Sequence, residues 1–127
     1  MTKLSAEKEA IKAVNTYIKG LNDKDPEKLA NSLHFPHIRS MKDGTFFEWH
    51  SPEEYMEAFK TRLISSGWDH TKLINTSTEK LSASKVHVSI EFGRYTKSGA
   101  LIGNYKSLYV VINVQGYWGI KFGSGTG

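Results

Sequence analysis

The chain has no cysteine, which excludes disulfides, thiolate zinc sites and cysteine nucleophiles together and fits any redox compartment. It has no long apolar run of about eighteen residues, and Met1–Glu7 lacks the apolar segment of a secretory leader. Neither membrane spanning nor secretion is supported, and the expected location is cytoplasmic. A basic cluster is missing too. The net charge of +4 is carried by lysines dispersed from Lys3 to Lys121. Nucleic-acid binding calls for grouped phosphate-neutralising side chains or a recognition signature, and neither is found, so the charge serves solubility. There are no repeats or linkers. The closing Gly123-Ser124-Gly125-Thr126-Gly127 reads as flexible.

What is present is an ordinary globular composition, 39% hydrophobic and 24% charged over 127 residues. That length suits one domain, expected over 1–123 with a flexible tail at 124–127, and buries roughly two-thirds of its unfolded surface without staples. From Ser5 to Leu21, Ala10, Ile11, Val14, Tyr17, Ile18 and Leu21 recur at three- and four-residue spacing, predicting an amphipathic helix capped by Ser5. Asp25-Pro26 reads as N-cap and first residue of a short second helix carrying Leu29 and Leu33 inward, ended by Phe35-Pro36. Segments 37–41 and 46–49 flank Lys42-Asp43-Gly44-Thr45 as a hairpin. Ser51-Pro52-Glu53-Glu54 is a capping box opening a third helix with Tyr55, Met56, Phe59 and Leu63 on one side, closed by Gly67.

The remainder predicts strands near 69–81, 85–96, 101–114 and 117–123, with turns short enough to make neighbours antiparallel. In 85–96, Val86, Val88, Ile90 and Phe92 share one face. In 101–114 both faces are apolar, Leu108, Val110, Ile112 and Val114 opposite Tyr105, Tyr109 and Val111. Helices can cover one face of such a sheet, so a second copy of the chain is expected on the other.

This order of elements, with Asp25-Pro26, Ser51-Pro52-Glu53-Glu54, Gly67-Trp68 and a final strand containing Gly116-Tyr117-Trp118-Gly119-Ile120, resembles the nuclear transport factor 2-like superfamily, which includes ketosteroid isomerase-like and polyketide cyclase-like proteins. The resemblance implies an α+β fold in which a strongly curved antiparallel sheet wraps around the N-terminal helices to form a cystatin-like cone with an internal pocket. Tyr17 is similar in place to the tyrosine that donates to the substrate oxygen in the isomerases. The strand that holds their general-base carboxylate offers Arg39, Met41 and Lys42 here, and the late strand that holds their second acid offers Tyr109 to Asn113. Steroid isomerisation by that route is therefore not expected.

The candidate ligand-binding residues are Tyr17, Arg39, Trp49, Phe59, Trp68, Tyr109 and Trp118. His37, Arg39 and Met41 alternate onto one strand face. If that face turns inward, Arg39 needs an internal carboxylate, with Glu48, Asp69 and Glu91 the candidates, or an anionic ligand; if it turns outward, water solvates it. Trp49, Trp68 and Trp118 lie near element ends, suited to a pocket mouth or a dimer contact. The five histidines show no ligand spacing, and neither a metal nor a cofactor is expected. The leading reading is a homodimeric domain that binds a small, partly apolar and anionic molecule, with catalysis left open. The alternatives are a dimerising interaction module, or an isomerase, cyclase or hydrolase lacking the usual carboxylates.

Overall fold

The computed structural model describes residues 4–64 and 66–126. The first three residues of the stretch read for a leader, and Gly127 of the expected tail, lie outside the described residues. Helix α1 (Ala6–Asp23) begins where the Ser5 side chain accepts from the Lys8 amide and ends at Lys24, in left-handed conformation. Its buried stripe is Ala10, Ala13, Val14, Tyr17, Ile18 and Leu21, the face expected from spacing except that Ala13 joins it and Ile11 lies half-buried at its edge. Helix α2 (Pro26–Ala30) opens with Asp25 accepting from the Glu27 amide. It is shorter than the sequence suggested. Leu33 instead opens strand β1 (Leu33–Ser40), because the chain after α2 pairs in parallel with the last strand, Leu33 opposite Ile120. Pro36 sits inside β1 where the register shifts between Leu33 and Ile38, a position that does not require its missing N–H in the ladder.

Strand β2 (Phe46–Trp49) returns antiparallel to β1 through a turn closed by the Met41 amide on the Thr45 carbonyl at 2.8 Å, with Gly44 at φ 87°. Helix α3 (Pro52–Ile64) is capped by Ser51, whose hydroxyl accepts from the Glu54 amide at 3.1 Å. The Glu54 carboxylate returns to the amide of His50 rather than Ser51. Strands β3 (His70–Ser82), β4 (Lys85–Tyr95), β5 (Leu101–Val114) and β6 (Tyr117–Gly125) follow. Residues 123–125, expected in or beside a loose tail, are therefore the end of a strand.

The six strands form one curved, unclosed sheet in the order β2-β1-β6-β5-β4-β3, antiparallel except for β1 beside β6. Helix α1 packs across β3, β4, β5 and β6. The inward residues Val86, Val88, Ile90 and Phe92 of β4 and Tyr109 and Val111 of β5 are all buried against it. On the outer face Leu108, Val114, Phe122 and Phe46 remain 38%, 48%, 42% and 73% exposed. Among the described residues no helix is long and apolar enough to cross a membrane.

Candidate functional site

Period-two alternation on β1 sends His37 and Arg39 inward, and both are buried, Arg39 to 3% exposure. Helix α1 brings Tyr17 from above, α3 brings Tyr55, Phe59 and Arg62, β4 brings Arg94 and β5 brings Ser107 and Tyr109. Between them Tyr17, Arg39, Phe59, Arg62, Arg94 and Tyr109 line a cavity of about 10 Å³, room for about one water molecule. Two buried arginines and the half-buried Arg62 thus share one small cavity.

None of them meets a carboxylate. Among the described residues the ion pairs are Lys19 and Lys28 with Asp23, and His70 with Asp69. Of the candidate partners for Arg39, Glu91 accepts from the Asn75 amide group at 3.0 Å, Asp69 holds His70, and Glu48 is exposed. The arginines are held by aromatic faces and neutral oxygens instead. Arg39 donates to the Ser107 hydroxyl at 3.3 Å and lies 5.9 Å from the Tyr109 ring centre. Arg94 lies 4.7 Å from Tyr105 and 5.5 Å from Phe92, and Arg62 5.4 Å from Phe59. Cation–π contacts of this kind lessen the cost of desolvation without neutralising charge. The Nε atoms of Arg62 and Arg94 are buried with no hydrogen-bond partner. Burial, and then Arg62, pull the Arg94 guanidinium below its ordinary value. Burial pulls Arg39 the same way; the net upward shift comes from Tyr109, Tyr17 and Tyr55 as phenolates, a charge that phenols do not carry at neutral pH, where burial is left uncompensated. Arg39 and Arg94 stay charged at neutral pH, as guanidiniums do in proteins.

Two glycines give Arg39 its place. A Cβ on Gly123 would stand 3.2 Å from Arg39 Nη1 and one on Gly125 2.9 Å from Nη2, so the guanidinium lies where side chains on β6 would otherwise reach. The Tyr17 and Tyr55 hydroxyls hydrogen-bond to each other above it. Burial raises both phenol pKa values, Tyr17 further through its neighbours Tyr55 and Tyr109. Both are therefore protonated, and the one that accepts keeps its own proton for a third group. His37 is fully buried, its ring stacked 6.1 Å from Trp49 and edge-on at 5.4 Å to Tyr55, and neither nitrogen has a hydrogen-bond partner. Burial first, then the Arg39 charge, lower its pKa to about 4, so the ring is neutral.

Outside this cluster, α3 and the β1–β2 hairpin bound a groove of about 590 Å³, walled by Met41, Phe47, Trp49, Ala58 and Thr61, with Glu54 and Glu57 also along it. Arg62 lines both the groove and the inner cavity. Its Nη1 lies 3.7 Å from the Met41 sulfur.

Of the seven residues singled out from sequence, Tyr17, Arg39, Phe59 and Tyr109 meet at the cavity and Trp49 stands in the groove wall. Two do not join them. Trp68 packs behind Phe59, ring centres 5.1 Å apart, and donates to the Thr71 hydroxyl at 2.9 Å. Trp118 lines a separate hollow with Ala6, Lys80 and Asn113, because β6 carries it to the far end of the sheet, opposite Asn113. Sequence reasoning missed Arg62, Arg94 and the Tyr55 hydroxyl. Arg94 was within reach, since the alternation through Val86, Val88, Ile90 and Phe92 continues onto it. Arg62 lies three residues after Phe59, on the inward side of α3.

The chain is similar in structure to an NTF-2 like protein of unknown function from Shewanella oneidensis MR-1, at 11% identity and a TM-score of 0.73 over 95% of this chain and 98% of that one. A protein of unknown function with a cystatin-like fold from Nostoc punctiforme PCC 73102 gives 14% identity and 0.76 over 98% and 94%. The hexachlorocyclohexane dehydrochlorinase LinA-type3 from Novosphingobium barchaimii LL02 gives 15% and 0.71 over 94% and 85%. At such identities the likeness shows the fold alone. No curated protein matches the chain in sequence. Residues 8–122 match the family model described as "NTF2-like protein (DUF6841)", and the chain belongs to that family.

Proposed function

We propose that the protein binds a small, partly apolar molecule through an anionic group taken up by Arg39, Arg62 and Arg94. The observation that carries this is a pair of buried guanidiniums, Arg39 and Arg94, sharing a cavity with the half-buried Arg62, none of the three paired with a carboxylate among the described residues. Desolvated like charges repel, and an uncompensated buried ion costs several kcal/mol, roughly, even after relaxation. An anion relieves both costs and supplies the acceptors that the Nε atoms of Arg62 and Arg94 lack. The phenol proton left over in the Tyr17–Tyr55 pair adds a neutral donor. Because the cavity holds about one water at rest, the anion enters as side chains shift.

Thermal-shift titrations of acetate, longer carboxylates and inorganic phosphate against the wild type and Arg39→Met test it. A ligand that binds only the folded state raises stability with the logarithm of its concentration over Kd. Acids are expected to raise the wild-type melting temperature and leave Arg39→Met unmoved. Equal shifts in both proteins, or none in either, remove the reading.

The outer sheet face supports a second contact, with another copy of the chain. Ile38, Phe46, Leu108, Val110 and Phe122 surround a shallow dent of about 170 Å³ that no charged side chain lines. Light scattering after size exclusion is expected to give a dimer at micromolar concentration; a monomer removes this part.

A further inference from the structure

We infer that the groove and the arginine cluster are the two halves of one site, and that its ligand is a monocarboxylic acid with an apolar body. The inference rests on the anion-binding reading and adds what the rest of the ligand must be. Three observations lead to it.

The first is continuity. Arg62 forms part of the groove wall and part of the cavity lining, so a carboxylate on its guanidinium stands at the boundary of the two spaces. Arg62 is also weakly held, by the Met41 thioether at 3.7 Å and the Phe59 face, with its Nε unpaired. A carboxylate with two acceptor oxygens outcompetes a thioether for a guanidinium fork. The arriving head group thus replaces the Met41 contact, and Arg62 keeps it beside the cavity that Arg94 and Arg39 also line.

The second is the chemistry of the wall. Trp49 and Phe47 stack with ring centres 5.8 Å apart and planes 13° from parallel, and Met41 and Ala58 extend this apolar surface. A polar or heavily hydrated body gains nothing there, whereas hydrocarbon or an aromatic ring gains in proportion to the area it covers.

The third is charge order along the groove. Its ionisable wall residues besides Arg62 are Glu54 and Glu57, both exposed. A ligand with a carboxylate at each end would place the second one beside like charges and against an apolar surface. One anionic end is accepted and a second is rejected, which is specificity by repulsion as well as attraction.

The experiment is calorimetric titration of the whole chain with straight-chain monocarboxylates from acetate to decanoate, phenylacetate, their methyl esters, and dicarboxylates of matched length. Affinity is expected to rise by roughly fourfold per methylene until the groove is full. Dicarboxylates are expected to bind about tenfold more weakly than monocarboxylates of equal length, and Glu57→Gln to narrow that gap. Thr61→Trp, at an exposed position, should fill the groove and abolish the gain with chain length while acetate still binds. Ala58→Phe is the second groove-filling variant, should the first fold poorly. A flat chain-length series, or a gain that survives both fillings, overturns the two-part site and leaves the arginine cluster as an anion site alone. Esters binding as tightly as acids, or no acid binding at any length, overturns the anion reading and this inference with it.

Discussion

The two faces of the sheet depart from the usual distribution of side chains in opposite ways. The concave face, packed under α1 and α3, buries Arg39 and Arg94 with Arg62 facing them, while the convex face leaves Phe46, Leu108, Val114 and Phe122 in water. Ordinary globular chains keep charge outside and hydrocarbon inside. Here each face carries some of what its own environment disfavours. On the reading proposed above, an anion would remove the cost inside and a second copy of the same face the cost outside. The concave face also carries Val86, Val88 and Val111, which with Val14 and Ile120 are fully buried, and that apolar packing can tolerate both.

The sharpest way to break this contrast is to remove the inner charge. Arg39→Met keeps the volume and deletes the ion, and is expected to stabilise the ligand-free protein by about 1–4 kcal/mol, read from denaturant midpoints. Destabilisation instead would mean that Arg39 is already compensated inside the chain. Next in size is pH. His37 stays neutral in the fold until about pH 4, whereas the unfolded chain protonates near the ordinary value of about 6.5. Above pH 6.5 neither state binds the proton. As pH falls from 6.5 to 4 the unfolded state takes one up and the folded state does not, so the fold loses stability progressively, up to about 3 kcal/mol. His37→Phe should flatten that part of the profile; an unchanged slope would place the titration elsewhere.

Tyr55→Phe comes third. It leaves the Tyr17 hydroxyl buried without its partner, for an expected loss of about 1–3 kcal/mol and weaker acid binding. A neutral result would mean that Tyr17 finds Arg39 or water instead. The smallest effect on stability belongs to the outer face. Phe122→Lys, at a position 42% exposed, should change the unfolding free energy of the monomer by about 0.5 kcal/mol or less, yet convert a dimer to a monomer in light scattering. A dimer that persists through Phe122→Lys and Leu108→Lys would put the contact on another surface.

Much of this layout was legible in the sequence because local and global signals agree. The caps at Ser5, Asp25 and Ser51, the Asp43-Gly44 turn and the alternation of β4 each place an element within a residue or two of where it lies. Legibility failed where pairing between distant segments decided the outcome. Leu33 and Pro36 look like the end of a helix, but Leu33 is captured by Ile120, far along the chain, and no local pattern announces a parallel partner. The glycines of β6 look like a flexible tail for the same reason, since what holds them is β1 on one side and β5 on the other. In the site, alternation puts Arg39 on one strand face with His37 and leaves open which way that face turns. Its inward direction and its lack of a carboxylate depend on how β1 sits against the helices and on where Glu91 and Asp69 turn once β3, β4 and their loops are in place. Trp118 was misplaced because nearness to a strand end does not say which end of the cone it occupies.

The Gly123 and Gly125 positions beneath Arg39 have a dynamic consequence. The rungs that join them to Tyr109 and Ser107 are held by backbone hydrogen bonds with no side chain of their own to pack, whereas Ile120, three residues before Gly123, is fully buried. Local opening of β6 therefore starts from its C-terminal end, and amide hydrogen exchange should run faster at residues 123–125 than around Ile120. Such an opening would hydrate the Arg39 guanidinium while the valine and isoleucine layer stays closed, giving solvent a route to the buried charge that does not require global unfolding.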